Sequence, residues 1–284
     1  MRYLSMFVLL TTAFSQDQAS SPTTIGRVSF EVASVKPTAN AGEHRPMRFA
    51  VSPGGQLTVA NMPLHWLIAN AYNVPFQSSR LTGGPGWVKS EAFDIQAVAP
   101  GMFAPGISAN EREARTRLML RALLAERFGL VVRSEVREMP AYVMAPGKKG
   151  PKLGKIVTEE KDCPLQPPDD GFYCHHMNGD MGRGLHGQAV DMSDIALYVE
   201  NWMDRPVVDQ TGIQGLYKID TEGWISMTPL APGQAMPTGP ENVHDPGRPS
   251  VFTVFEETLG LKLEPKKAKV EMFVIERVER PSAN

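Results

Sequence analysis

The sequence predicts an α+β protein. It reads as two tandem copies of a β-α-β-β-α-β-β unit, with helices packed on small mixed or antiparallel sheets. Three observations carry that prediction. Short alternating apolar runs, which suit half-buried strands, intersperse with segments of helical apolar spacing. The 25 glycines and 24 prolines among 284 residues call for short elements and many turns. The same order of elements also returns in the second half with matching residues. Hydrophobic residues form 42% of the chain and charged residues 21%, enough apolar content for a packed core. The formal net charge of −2 gives no drive towards nucleic acid or anionic membranes.

Residues 1–15 read as a signal peptide. Arg2 supplies the charge, Leu4–Ala13 the short apolar run, and Ala13-Phe14-Ser15 the small residues of a cleavage site. The run is too short to span a bilayer, and no later run is long enough, so no transmembrane segment is expected in the mature chain. Residues 16–27 read as a flexible N-terminus. The expected location is therefore periplasmic or extracellular.

The first repeat is expected at residues 28–150. Val28, Phe30 and Val32 alternate as a strand, followed by a second at Gln56–Ala60. Asn61 is placed to cap a helix, with Pro63 in its first turn. Leu64, Leu67, Ile68, Ala71 and Tyr72 then share one face. Thr82–Gly86 is a turn cluster and Phe93–Val98 a strand. Asn110–Phe128 is rich in strong helix formers and Gly129 is placed to stop it. Leu130–Glu138 and Ala141–Ala145 suggest a hairpin around Pro140.

A linker, residues 151–185, holds Cys163 and Cys174. In an oxidising compartment their expected state is a disulfide. Free thiols are one alternative. A zinc site with His175 and His176 is another, although adjacent histidines diverge and the spacing matches no common zinc motif.

The second repeat is expected at residues 186–284. Gln188–Val190 is a strand, and Asp191 precedes a helix with Ile195, Tyr198, Val199 and Trp202 on one face. Arg205–Val208 and Leu216–Asp220 are strands. Ser250 caps a last helix that Gly260 stops, and Lys262–Glu264 and Glu271–Val278 close the unit as two strands. Phe128-Gly129-Leu130 aligns with Leu259-Gly260-Leu261 at an offset of 131, which holds without a gap to Val143 over Val274. Asn61-Met62 matches Asp191-Met192, Thr82-Gly83 matches Thr211-Gly212, and Phe93-Asp94-Ile95 matches Tyr217-Lys218-Ile219. Residues 226–249 carry six prolines and three glycines and read as a flexible insertion. Ala99–Ala109 is its counterpart in the first repeat.

Catalytic signatures are missing. There is no Gly-x-Ser-x-Gly elbow, no phosphate loop with its lysine and no His-Glu-x-x-His helix. No cofactor and no metal are expected. Asp209 lies at a strand end before a turn, where an aspartate ordinarily organises its own backbone. Trp87 and Trp224 lie near loops and are candidates for stacking on a sugar or a partner. His186 is the histidine whose convergence with Trp87 and Asp209 would favour a catalytic site.

The motifs also resemble a family. Leu64-x-x-Leu67-Ile-x-x-Ala71-Tyr72, Gly83-Gly-Pro85-Gly-Trp87, Phe93-Asp94-Ile95 and Leu123-Leu-Ala-Glu-Arg127-Phe128 are similar to a large paralogous group of exported proteins of unknown function, best represented in acidobacteria. So are Arg205-Pro-Val-Val-Asp-Gln-Thr-Gly212-x-x-Gly215-x-Tyr217, Leu259-Gly-Leu261 and Arg280-Pro281-Ser-Ala-Asn284. The resemblance implies export and no known activity. Similar domains look to be fused behind membrane metallopeptidases of the antibiotic-sensor type, which implies sensing or docking. Each half also resembles, more weakly, the short N-terminal domain of secretins and TonB-dependent receptors, a docking module. The expected function is a non-enzymatic module binding an unidentified extracytoplasmic protein or small ligand. A secreted hydrolase or a carbohydrate-binding protein is the alternative.

Overall fold

The computed structural model describes residues 29–39, 45–52, 54–99, 107–154, 156–164, 173–228 and 242–281. The segments expected as a signal peptide (1–15) and N-terminal extension (16–27), and most of 99–109 and 226–249, lie outside the described residues. The elements run β1 (Val32–Pro37), β2 (Arg48–Val51), β3 (Gln56–Pro63), α1 (Leu64–Ala71), β4 (Leu81–Gly83), α2 (Trp87–Ser90), β5 (Ala92–Val98), α3 (Ala109–Phe128) and β6 (Val131–Pro146). They continue as β7 (Met177–Asp180), β8 (Gly184–Val190), α4 (Met192–Val199), β9 (Val207–Asp209), β10 (Tyr217–Asp220), α5 (Val251–Val254) and β11 (Leu261–Arg277). The mixture is α+β, as expected.

Strands form three sheets. The first has order β1-β5-β3-β2, the second β10-β8-β7 and the third β4-β11-β6-β9. The first two share a plan. Val59 faces Ile95 and Met62 faces Phe93 in one; Gly187 faces Ile219 and Val190 faces Tyr217 in the other. Each ladder slips between those two pairs. An isolated bridge from Thr158 to Leu216 puts a third chain segment beside β10, where β1 lies beside β5.

The third sheet departs from expectation. The hairpin expected around Pro140 does not exist, and the two strands expected at Lys262–Glu264 and Glu271–Val278 are one. β6 and β11 are single strands of 16 and 17 residues that pair antiparallel along their whole length. Proline should end a strand, because it lacks a ladder donor. Here each proline sits where no ladder donor is needed. Tyr142 N–H points away from β11, to the carbonyl of Pro206. Pro140, two positions earlier, faces the same side, beyond the residues that β9 pairs (142–144). Phe273 N–H likewise points outward to the Arg80 carbonyl, and Pro265 has the same parity. β4 runs parallel to the end of β11, and β9 parallel to the end of β6.

This ribbon ties the halves together. The first core joins Leu57 and Val59 of β3, Leu67 and Ile68 of α1, and Leu120, Leu124 and Phe128 of α3 to Phe273 and Ile275 of β11. The second joins Leu185, Ile195, Val199, Phe255 and Leu259 to Tyr142 and Met144 of β6. Each half thus buries strand residues from the other half of the sequence. In the ladder Glu138 faces Lys269, residues 131 apart.

Helix ends follow local rules, with two shifts. α3 starts at Ala109, one residue before the expected Asn110, and Ser108 caps it, its Oγ accepting from Glu111 N–H at 3.1 Å. Ser250 caps α5 in the same way, and α5 runs on into a π-helical turn at Phe255–Leu259. Gly129 and Gly260 end their helices in left-handed conformation, φ 55° and 65°. Asn61 does not cap α1. It lies inside β3 at φ 51°, its N–H held by Asp94 Oδ1 at 2.8 Å, and Pro63 precedes the helix without a side-chain cap. Two of the expected matches also move. Met62 faces Phe93 whereas Val190, not Met192, faces Tyr217, and Thr82 faces Val274 whereas Val208, not Thr211, faces Val143.

Candidate functional site

The halves meet at a buried carboxylate. Glu200 follows α4 in a short 3-10 turn and is only 2% exposed. Its Oε1 accepts from the Ser78 hydroxyl and from Arg80 Nε at 2.9 Å, and its Oε2 from Val207 N–H at 3.0 Å. Ser78 and Arg80 precede β4 in the first half. Two of these three bonds, from Ser78 and Arg80, cross the junction and tie the two halves together, and the one from Arg80 is charged at both ends. Arg80 Nη2 is buried without a partner among the described residues.

Beside this clamp lies a cleft of about 570 Å³. One wall comes from the end of α1 and the loop after it (Asn70, Asn73, Phe76) and from the start of α3 (Asn110, Glu113, Arg117). The other comes from α4 and its flanks, including His175, Ser193, Asp194, Tyr198 and Asn201. In the correspondence set by β3 and β8, Ala69, Asn70 and Asn73 fall opposite Leu197, Tyr198 and Asn201. All six line the cleft. Asn73 adopts φ 53°, which asparagine tolerates well. Phe76 stacks on Trp66 at 4.7 Å with rings 5° from parallel, which fixes its plane.

Charges in the cleft are taken up internally. Arg117 bonds Glu113 at 2.5 Å, one helical turn apart. His175 Nδ1 bonds Asp194 and its Nε2 bonds Glu160, both at 2.8 Å. Burial opposes charge on this imidazole, but the hydrogen bonds and charges of Asp194 and Glu160 outweigh it and push its pKa up to about 9. Asp194 also closes a capping box with Asp191 at the start of α4. Burial and the charge of Asp194 raise the Asp191 pKa.

The linker cysteines supply the anchor for this imidazole. Cys163 and Cys174 form the expected disulfide, with Cα atoms 5.8 Å apart. Their sulfurs are therefore not available as zinc ligands. His175, the next residue, sits at φ 58° with its ring held between the two carboxylates.

The candidates from sequence scatter. Asp209 Oδ1 accepts from Thr211 N–H at 2.9 Å, the ordinary turn role, and lines a 380 Å³ cavity with Ile156 and Ile213. His186 bonds Asp220 at 2.8 Å and lines a separate 210 Å³ hollow with Tyr173 and His176. Trp87 lies under the Arg280 guanidinium, 4.9 Å from its centroid, and lines neither. Trp224 was expected near a loop surface. It is instead fully buried, edge-on to Trp202 at 6.0 Å, and offers no stacking face. Sequence reasoning missed Glu200 and the cleft asparagines. A single Glu or Asn among helical residues carries no sign of burial, and the cleft exists only after the halves dock.

The arrangement defines an α+β protein of two interlocked halves with a polar cleft between them. The chain belongs to the family described as "Protein of unknown function (DUF3738)", whose model matches residues 65–278, about three quarters of the sequence. The match runs from α1 to the end of β11 and so spans both halves. No curated protein and no solved structure matches the chain. No helix among the described residues is long and apolar enough to cross a membrane.

Proposed function

We propose that the protein is an exported, non-catalytic module that holds a small ligand in the cleft between two halves descended from one duplicated unit. The observation that carries this reading is the cleft itself. Its walls come from both halves and include three pairs of residues that match by position, and the Glu200 contact and the β6–β11 ribbon hold them together. A concave site of about 570 Å³ falls within the usual range for small-ligand pockets, roughly 300–1,000 Å³. The facing of Glu138 and Lys269, at the offset found in the sequence alignment, supports the duplication. The disulfide supports an oxidising compartment. The catalytic alternative requires Trp87, Asp209 and His186 in one site, and these residues line no common cavity.

The test is native mass spectrometry of the mature chain after incubation with the low-molecular-weight fraction of a periplasmic extract and of culture medium. A retained species is expected on the wild type and not on Asn110→Trp, which fills the cleft from an exposed helical position. Equal retention by both proteins, or none by the wild type, refutes the reading.

A further inference from the structure

The cleft offers an unusual set of free groups. Asn70, Asn73 and Asn110 line it, and among the described residues no side-chain hydrogen bond ties up their carboxamides. Ser193 adds a hydroxyl, and Asn201 retains its oxygen, since its Nδ2 donates to the Tyr198 carbonyl at 3.0 Å. A carboxamide offers two donors and an acceptor, so it can serve a hydroxyl that donates and accepts at once. The charged groups do not compete for a ligand. Arg117 is held by Glu113, and His175 by Asp194 and Glu160. Glu113 with Arg117, and His175 with Asp194 and Glu160, are thus balanced in place, while His176 adds a second imidazole to the lining, beside the Tyr173 ring. Two partly buried aromatic rings, Phe76 and Tyr198, complete the lining. The Phe76 ring is fixed by its stack on Trp66, and the Tyr198 hydroxyl by the Gly179 carbonyl at 3.1 Å.

Resting on the reading of the cleft as the binding site, we infer that its ligand is a neutral saccharide of one or two rings. Free carboxamides match vicinal hydroxyls or an N-acetyl group. Rigid aromatic surface matches the apolar faces of a pyranose ring. The Arg117 guanidinium and the His175 imidazole are already paired with carboxylates, which disfavours uronates and phosphates.

The probes are cellobiose, N,N′-diacetylchitobiose, glucuronate and a neutral tripeptide, titrated into the mature protein by isothermal calorimetry. Saturable binding of at least one of the two disaccharides is expected, with none of glucuronate. Asn110→Ala and Asn73→Gly should each weaken it roughly 3- to 10-fold, the loss of about one neutral hydrogen bond. Glycine keeps the left-handed backbone at position 73, and thermal melts confirm that each variant is folded. Saccharide binding unchanged in both variants overturns the inference, because the sugar then sits elsewhere. So does binding of glucuronate or the tripeptide in place of the disaccharides. If neither disaccharide binds while the extract still yields a ligand that Asn110→Trp excludes, the saccharide inference falls and the cleft reading stands. If the extract yields nothing either, both fall.

Discussion

Replacing Glu200 by alanine should destabilise the whole protein. The substitution removes the acceptor for Arg80 Nε, the Ser78 hydroxyl and Val207 N–H at a site where the glutamate is 2% exposed. It leaves a guanidinium whose side chain is 13% exposed without its counter-ion. Breaking one partner of a buried pair costs about 3–5 kcal/mol, mostly because the other charge stays behind. At roughly 2–4 °C per kcal/mol for a chain of this size, the melting temperature should fall by about 6–20 °C. Urea unfolding of Glu200→Ala, Arg80→Met and the double variant measures it. The double variant should lose less than the sum of the singles, with a coupling of about 1–3 kcal/mol. A Glu200→Ala protein within about 0.5 kcal/mol of wild type, the usual range for surface changes, would refute the argument that this carboxylate clamps the halves.

Other expectations follow from the same geometry. Removing the disulfide by Cys163→Ser with Cys174→Ser should cost roughly 2–3 kcal/mol by loop entropy; intact mass with and without reduction and alkylation reports the bond itself. The His175 pKa of about 9 lies above its unfolded value near 6.5. The imidazole clamp is therefore fully present below pH 6.5 and lost as pH rises through 9, so denaturation midpoints should fall across that window. His175→Gln should flatten the fall; an unchanged slope counts against the clamp. Gly129 and Gly260 have the same left-handed backbone, so alanine at either should cost about 1–2 kcal/mol. A Cβ at 260 would also lie 2.3 Å from the Gly150 carbonyl oxygen, whereas at 129 its nearest neighbour is at 3.7 Å. Gly260→Ala should therefore be the more damaging of the two by urea unfolding, and equal losses would contradict the packing described there.

Much of the fold was legible because local rules and tertiary packing agree. The apolar faces of α1 and α3, the helix stops at Gly129 and Gly260, the caps at Asp191 and Ser250 and the cysteine pair all follow from residue chemistry within a few positions. The ribbon was not legible. Pro140 and the charged stretch Glu264–Lys269 look like strand breaks until a partner strand shows that both prolines point their missing donors outward. Asn61 looked like a cap because cap chemistry and a left-handed bulge favour the same residue type. Trp224 looked exposed because its neighbours are loop formers, yet it fills the second core. The site was least legible of all. Its asparagines come from three separate segments, at 70–73, 110 and 201, and only the docking of the halves makes a cleft of them.

The most direct test of the account is hydrogen–deuterium exchange of the mature chain, with and without the low-molecular-weight extract fraction. The two-walled cleft predicts added protection in segments 69–76, 110–117 and 191–201 together, and none in Asn110→Trp. Protection confined to one wall, or falling on the 380 Å³ cavity around Asp209 instead, would contradict it.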